Sequence, residues 1–157
     1  MTSTDTAAPL RLFALDEDDL EILSANMQDA LVPVPEIAYL PSQRRFALAG
    51  KRFDWVKAAA GGCERCAVGL HFERVLGVSR LGFAQSETDR VLNLLAIAFA
   101  PTDAPAGHVL LTFSGGAAIR LDVECLEAQM RDLGPRWPCD KTPAHATDDS
   151  NGASPSG

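Results

Sequence analysis

The sequence predicts an α+β fold: about seven mainly antiparallel strands in a curled sheet or barrel, an amphipathic helix after the first strand, and a second helix after the last. Three observations carry this expectation. Apolar and polar residues alternate over many short stretches, clusters of glycine and proline separate those stretches, and only two segments repeat their apolar residues at helical spacing. With 157 residues, 46% of them apolar, the chain can bury one core but not two comfortable ones. One domain over residues 9–137 follows, with a flexible N-terminus, 1–8, and a disordered tail, 138–157, rich in Pro, Ser, Asp and Gly.

Leu10 to Leu15 reads as a short strand that stops at Asp16-Glu17-Asp18-Asp19. Acidic side chains there face the positive end of a helix dipole, and Asp16 can cap. Leu20, Leu23, Met27, Ala30 and Leu31 continue at helical spacing until Pro33 closes the helix. From Pro35 the period falls toward two: Ile37 and Tyr39 share a face, as do Phe46 and Leu48 after a turn at Pro41-Ser42-Gln43, which predicts a hairpin. Phe53 and Trp55 point to one side of a further extended segment, and Ala58 to Gly62 form a loose connection.

Cys66, Val68, Leu70 and Phe72 then alternate in one long, bent strand reaching Val78. Val91 to Phe99 is apolar on both faces and reads as a strand buried on both sides. Val109 to Phe113 and Ile119 to Val123 flank Ser114-Gly115-Gly116-Ala117, which supplies the permissive residues of a tight hairpin. Leu126, Met130 and Leu133 mark the last helix, punctuated by Gly134 and Pro135. This order resembles the pleckstrin-homology-like barrel, in which a final helix plugs a curled sheet. The long helix after the first strand departs from it and leaves an open antiparallel sheet with two helices on one face as the alternative.

No stretch approaches the roughly 20 apolar residues of a membrane span. Met1 to Pro9 lacks the basic start and apolar run of a secretory signal, so the expected compartment is the cytoplasm, where Cys63, Cys66, Cys125 and Cys139 would be free thiols. The net charge of −7 conceals an asymmetry: residues 1–43 carry −7, residues 44–80 carry +5 and residues 81–157 carry −5. An acidic protein repels nucleic acid at long range, so nucleic-acid binding is disfavoured and any anion contact would fall on the middle segment.

Arg44, Arg45, Lys51 and Arg52, interleaved with Phe46, Phe53 and Trp55, form the cluster with ligand chemistry: guanidinium forks suit phosphate or carboxylate, and exposed aromatics could stack. Strand periodicity offers a plainer reading, with the aromatics in the core and the basic residues alternating outward. Cys63 and Cys66 have the spacing that lets two sulfurs share a metal or a disulfide, but a tetrahedral site needs two more ligands and no second paired spacing exists. His71, His108 and His145 are scattered, and no serine sits in a strand-turn-helix elbow. The Ser114 to Ala117 loop opens a strand, whereas phosphate-cradling loops open helices.

Glu36 to Pro41, Arg44 to Leu48, Arg52 to Trp55, Leu94 to Ile97 and Gly115 to Cys125 together resemble the bacterial domain-of-unknown-function family 2948, over about Leu10 to Trp137. The resemblance implies a single domain and no activity, substrate or cofactor. The β-rich core, the basic segment from Arg44 to Arg80 and the absence of a nucleophile or metal set make a non-catalytic binding or adaptor domain the leading expectation, with no cofactor and with a protein or small anionic ligand as partner. The alternative is a small enzyme or thiol redox or metal protein using Cys63 and Cys66. Homodimerisation through a strand edge is compatible with both.

Overall fold

The computed structural model describes residues 9–139. In chain order these form β1 (Arg11–Ala14), α1 (Glu17–Met27), β2 (Leu31–Pro33), β3 (Ile37–Leu40), β4 (Arg45–Phe53), α2 (Trp55–Ala59), β5 (Glu64–Phe72), β6 (Val75–Leu81), β7 (Val91–Pro101), β8 (Gly107–Phe113), β9 (Ala118–Val123) and β10 (Ala128–Pro138). Every pairing between them is antiparallel, in the order β1-β10-β5-β4-β2-β7-β8-β9-β6, with β3 added on β4. The sheet is open, with β1 and β6 at its ends, and does not close into a barrel. No helix among the described residues is long and apolar enough to cross a membrane.

Helix α1 begins where the sequence puts it and ends at Met27, short of Ala30 and Leu31. The Asp16 carboxylate accepts from Asp19 N at 2.8 Å, and Leu20, Leu23 and Met27 are buried. The β3–β4 hairpin pairs Ile37 with Leu48 and Tyr39 with Phe46, and the β8–β9 hairpin turns through Ser114–Gly116. Other expectations need correction. There are ten strands among the described residues, not seven, partly because the long bent strand is two: at Glu73-Arg74 the chain bends out of β5, with Arg74 at φ 61°, and β6 pairs with β9 instead of with the neighbours of β5. Beyond Met27 the chain turns at Asp29, φ 70°, and Leu31–Pro33 becomes a strand bridging β4 and β7.

The predicted C-terminal helix is β10. Leu126, Met130 and Leu133 fit a helical spacing, yet Leu126, Ala128 and Met130 fit a period of two equally well and are all buried. Tertiary demand decides between the two readings: β10 satisfies the backbone edges of β1 and β5 at once, which a helix could not do. The second helix instead is α2, in the segment read as extended and loose. Asp54 caps it by accepting from Lys57 N at 2.9 Å, and the alanines that follow favour it.

Strand β7 is buried on one face only, since Leu95 is exposed. Its apolar residues lie on both parities because the register with β8 shifts between Leu94 and Ala96, so that Leu92, Leu94 and Ile97 all face inward. Inside the curl, α1 and the inner faces of the strands enclose one core containing Phe46, Leu70, Phe72, Leu111, Phe113 and Met130.

Gly50 marks the point where β2 and β4 come closest. A Cβ at Gly50 would collide with the carbonyl oxygen of Leu31, a backbone atom that cannot move aside without parting the two strands. Gly50→Ala is expected to destabilise the fold by about 1–3 kcal/mol, read as a lower urea midpoint at unchanged slope.

Candidate functional site

The outer face of β2, β4, β5 and β10 carries a groove of about 380 Å³. Its floor is Ala49, Gly50 and Ala67, where an exposed sheet face ordinarily carries long polar side chains. Pro33 and Val91 form one wall, and Leu133 and Trp137 form the other. The second wall exists because β10 leaves its ladder: Asp132 pairs with Val68 and Arg136 with Cys66, so Leu133, Gly134 and Pro135 bulge outward, with Gly134 at φ 116°. Leu133 lies over Gly69, whose absent Cβ would stand 3.6 Å from Leu133 Cδ2.

Val91 is 53% exposed, Leu133 46% and Trp137 39%, so the described residues leave the groove uncovered. Lys51 Nζ stands 4.3 Å from the centre of the Trp137 ring, a cation–π contact. Among the described residues no carboxylate pairs with it, and no basic group pairs with Glu36, which also lines the groove.

Beneath this face lies a layer of buried charge. The Arg52 guanidinium holds the Asp132 carboxylate in a fork, Nε to Oδ1 at 2.7 Å and Nη2 to Oδ2 at 3.0 Å, with both side chains 5% exposed or less. Asp132 Oδ2 also accepts from Leu10 N at 2.9 Å. Burial alone would lower the pKa of Arg52, but the carboxylate outweighs it and holds it above its ordinary value. Arg136 reaches Glu64 Oε1 at 2.6 Å and also bonds Asp54.

Burial opposes ionisation of Asp54, yet the Lys57 amide and Arg136 together keep its pKa below 3.8. The bond to Arg136, partly countered by burial, depresses Glu64 likewise. Cys66 sits buried in this layer with its thiol pKa raised by burial, which disfavours the nucleophilic thiolate. These groups neutralise one another and supply neither a carboxylic acid held protonated nor an activated thiol.

The four basic residues picked out in the sequence do not form one patch. Lys51 points into the groove, Arg52 points inward and is buried, and Arg44 and Arg45 lie at the far end of β4. There they line a polar cleft of about 470 Å³ with His71, Glu73, Arg74 and Glu124. Arg45 pairs with Glu73 at 2.9 Å, Arg44 with Glu124 at 3.0 Å and Arg74 with Glu127 at 3.4 Å. His71 Nδ1 lies 2.7 Å from the same Glu73 oxygen that Arg45 uses. Each guanidinium already has a carboxylate, and exposed pairs of this kind contribute about 0–1 kcal/mol.

The interleaved aromatics are core at Phe46 and Phe53, while half-buried Trp55 donates Nε1–H to Gln28 O at 3.0 Å. Cys63 is no free thiol and does not share a site with Cys66: it is bonded to Cys139, with a Cα–Cα separation of 5.2 Å.

A family model described as "Protein of unknown function (DUF2948)" matches residues 10–145, most of the chain. The chain belongs to that family. No curated protein and no solved structure matches it. For this DUF2948 domain the site therefore rests on geometry, and Leu133 and Trp137 were the residues sequence reading missed. Their signal was the pair Gly134-Pro135, read as the end of a helix when it marks a strand bulge.

Two outcomes follow for the buried layer of the DUF2948 domain. Arg52→Ala strands the Asp132 charge and is expected to cost about 3–5 kcal/mol in urea unfolding. Asp54→Asn keeps the helix cap but loses the charge on Arg136, at a cost of roughly 1–3 kcal/mol at pH 7. Because the Asp54 pKa is depressed in the folded state, its contribution is complete above 3.8 and is lost as pH falls through the lower folded value. The gap between wild type and Asp54→Asn should therefore narrow below pH 4, measured by denaturant titration at pH 7 and pH 3.

Proposed function

We propose that this is a non-catalytic binding domain whose ligand is a small apolar anion, a carboxylate with a hydrocarbon or aromatic body, held in the groove over β2, β4, β5 and β10. The observation that carries the reading is Lys51: an ammonium set against Trp137 at 4.3 Å, with no carboxylate on it among the described residues, over a floor without long side chains. The apolar floor and walls suit the body of such a ligand. Among the described residues Lys51 supplies the one full positive charge lining the groove, and the volume falls within the range of small-molecule sites. The polar cleft around Arg45 supports the reading less well, since an anion entering it must first displace a carboxylate from a guanidinium.

Decanoate serves as the probe, followed by displacement of 8-anilinonaphthalene-1-sulfonate. Lys51→Gln is expected to weaken decanoate binding roughly tenfold, the loss of one charge-assisted hydrogen bond, and Trp137→Ala by a comparable factor. Glu36→Gln should leave binding unchanged or tighten it. Equal affinity in wild type and Lys51→Gln would overturn the anionic ligand, and no binding of either probe to the wild type would remove the groove from consideration.

A further inference from the structure

Among the described residues little holds the Trp137 wall of the groove, and what holds its end is a bond that can be broken reversibly. Beyond the bulge at Leu133–Pro135, β10 pairs with β5 over only three residues: Arg136 with Cys66, Trp137 with Arg65 and Pro138 with Glu64. Pro138 has no amide hydrogen to donate, so its pair is a poor clamp. Arg136 is anchored by Glu64 and Asp54, but Trp137 and Pro138 lie beyond that anchor. At the end, Cys139 N donates to Cys63 O at 3.1 Å and the two residues share the disulfide. A short strand end of this kind, cut off from its ladder by a bulge, opens locally at little cost unless it is tied down.

We propose that the Cys63–Cys139 disulfide is a redox control on ligand binding, with the groove competent when it is oxidised and weakened when it is reduced. The inference rests on the proposed groove. The step is thiol–disulfide exchange with an external dithiol protein of the thioredoxin class. One of its thiolates attacks a sulfur of the pair, the Cys63–Cys139 bond breaks, and the other cysteine leaves as a thiolate that takes a proton. The second thiol of the reductant then attacks the mixed disulfide, becoming a disulfide itself and releasing the remaining cysteine, so that two electrons and two protons pass to the chain. Cys66 takes no part, being buried with its thiolate disfavoured. Reduction leaves Arg136 in place and frees Trp137 to swing from Lys51, which removes the aromatic wall and the fixed position of the ammonium together.

Full-length protein is compared in three forms: air-oxidised wild type, wild type reduced with a phosphine, and Cys63→Ser/Cys139→Ser. Thiol titration in denaturant should count two free thiols in the first form and four in the second. Amide hydrogen exchange is read at Arg136 and Trp137, and decanoate affinity by displacement of 8-anilinonaphthalene-1-sulfonate. The expected result is faster exchange at Trp137 in the reduced and double-variant forms with α1 protection unchanged, and decanoate binding weakened roughly three- to tenfold in both. Four thiols in the oxidised protein, or identical exchange at Trp137 in all three forms, would overturn the redox control whatever the ligand result. Absent decanoate binding in the oxidised form, with the exchange difference present, would instead sink the groove reading and leave a redox-sensitive strand end.

Discussion

An ion pair taken out of water between β4 and β10 is the constraint around which this end of the molecule is arranged. Arg52 and Asp132 are separated by β5, so their fork clamps three strands, and the Leu10 amide brings β1 onto the same carboxylate. A buried pair of this kind contributes little over an apolar substitute, but losing either partner is severe, so it specifies register more than it stabilises. Asp132 is the last residue of β10 in unbroken register with β5, and two residues too many follow before Arg136 resumes the ladder opposite Cys66. The strand expels the surplus as the Leu133–Pro135 bulge.

Most of the sheet was legible because its strands bury one face and so alternate. The β3–β4 and β8–β9 hairpins and helix α1 follow from that period and from their turn or capping residues. What could not be read was local periodicity made ambiguous by irregular pairing. In β7 a register shift puts apolar residues on both parities, which mimics a strand buried on two sides. In β10 the bulge places Leu133 where a helix would also have placed it. Two residues with positive φ that are not glycine, Asp29 and Arg74, redirect the chain where no glycine marks the place, which hid β2 and fused β5 with β6.

The candidate site was legible in part, and the part missed was topological. Alternation on β4 puts Lys51 and Arg52 on opposite faces, so the same strand that suggested one basic patch also divides it. Nothing in the sequence near Lys51 indicates that Trp137 lies against it, because β10 reaches that place by way of β5. The cysteines illustrate the same limit. Cys63 and Cys66 are close in sequence but lie on an extended chain, where residues three apart face opposite sides, and the partner that Cys63 meets is 76 residues away.

The two faces of β4 are mechanically one device. Arg52 is fixed by two hydrogen bonds in a dry interior, and a strand residue cannot shift without carrying its neighbour, so the backbone of Lys51 is fixed with it. Lys51 O also accepts from Arg65 Nη1 at 3.2 Å, and Arg65 pairs with Trp137 across the ladder. The backbones of Lys51 and Trp137 are thus placed by separate contacts that both return to β5, leaving the stacking of ammonium on indole to be made at the surface. Positioning of that kind lowers the ordering cost of binding, because the side chains that would meet a ligand are already held when it arrives. A solvated lysine on an ordinary sheet face has no such support, and that difference separates this groove from the self-neutralised cleft at the other end of the same strand.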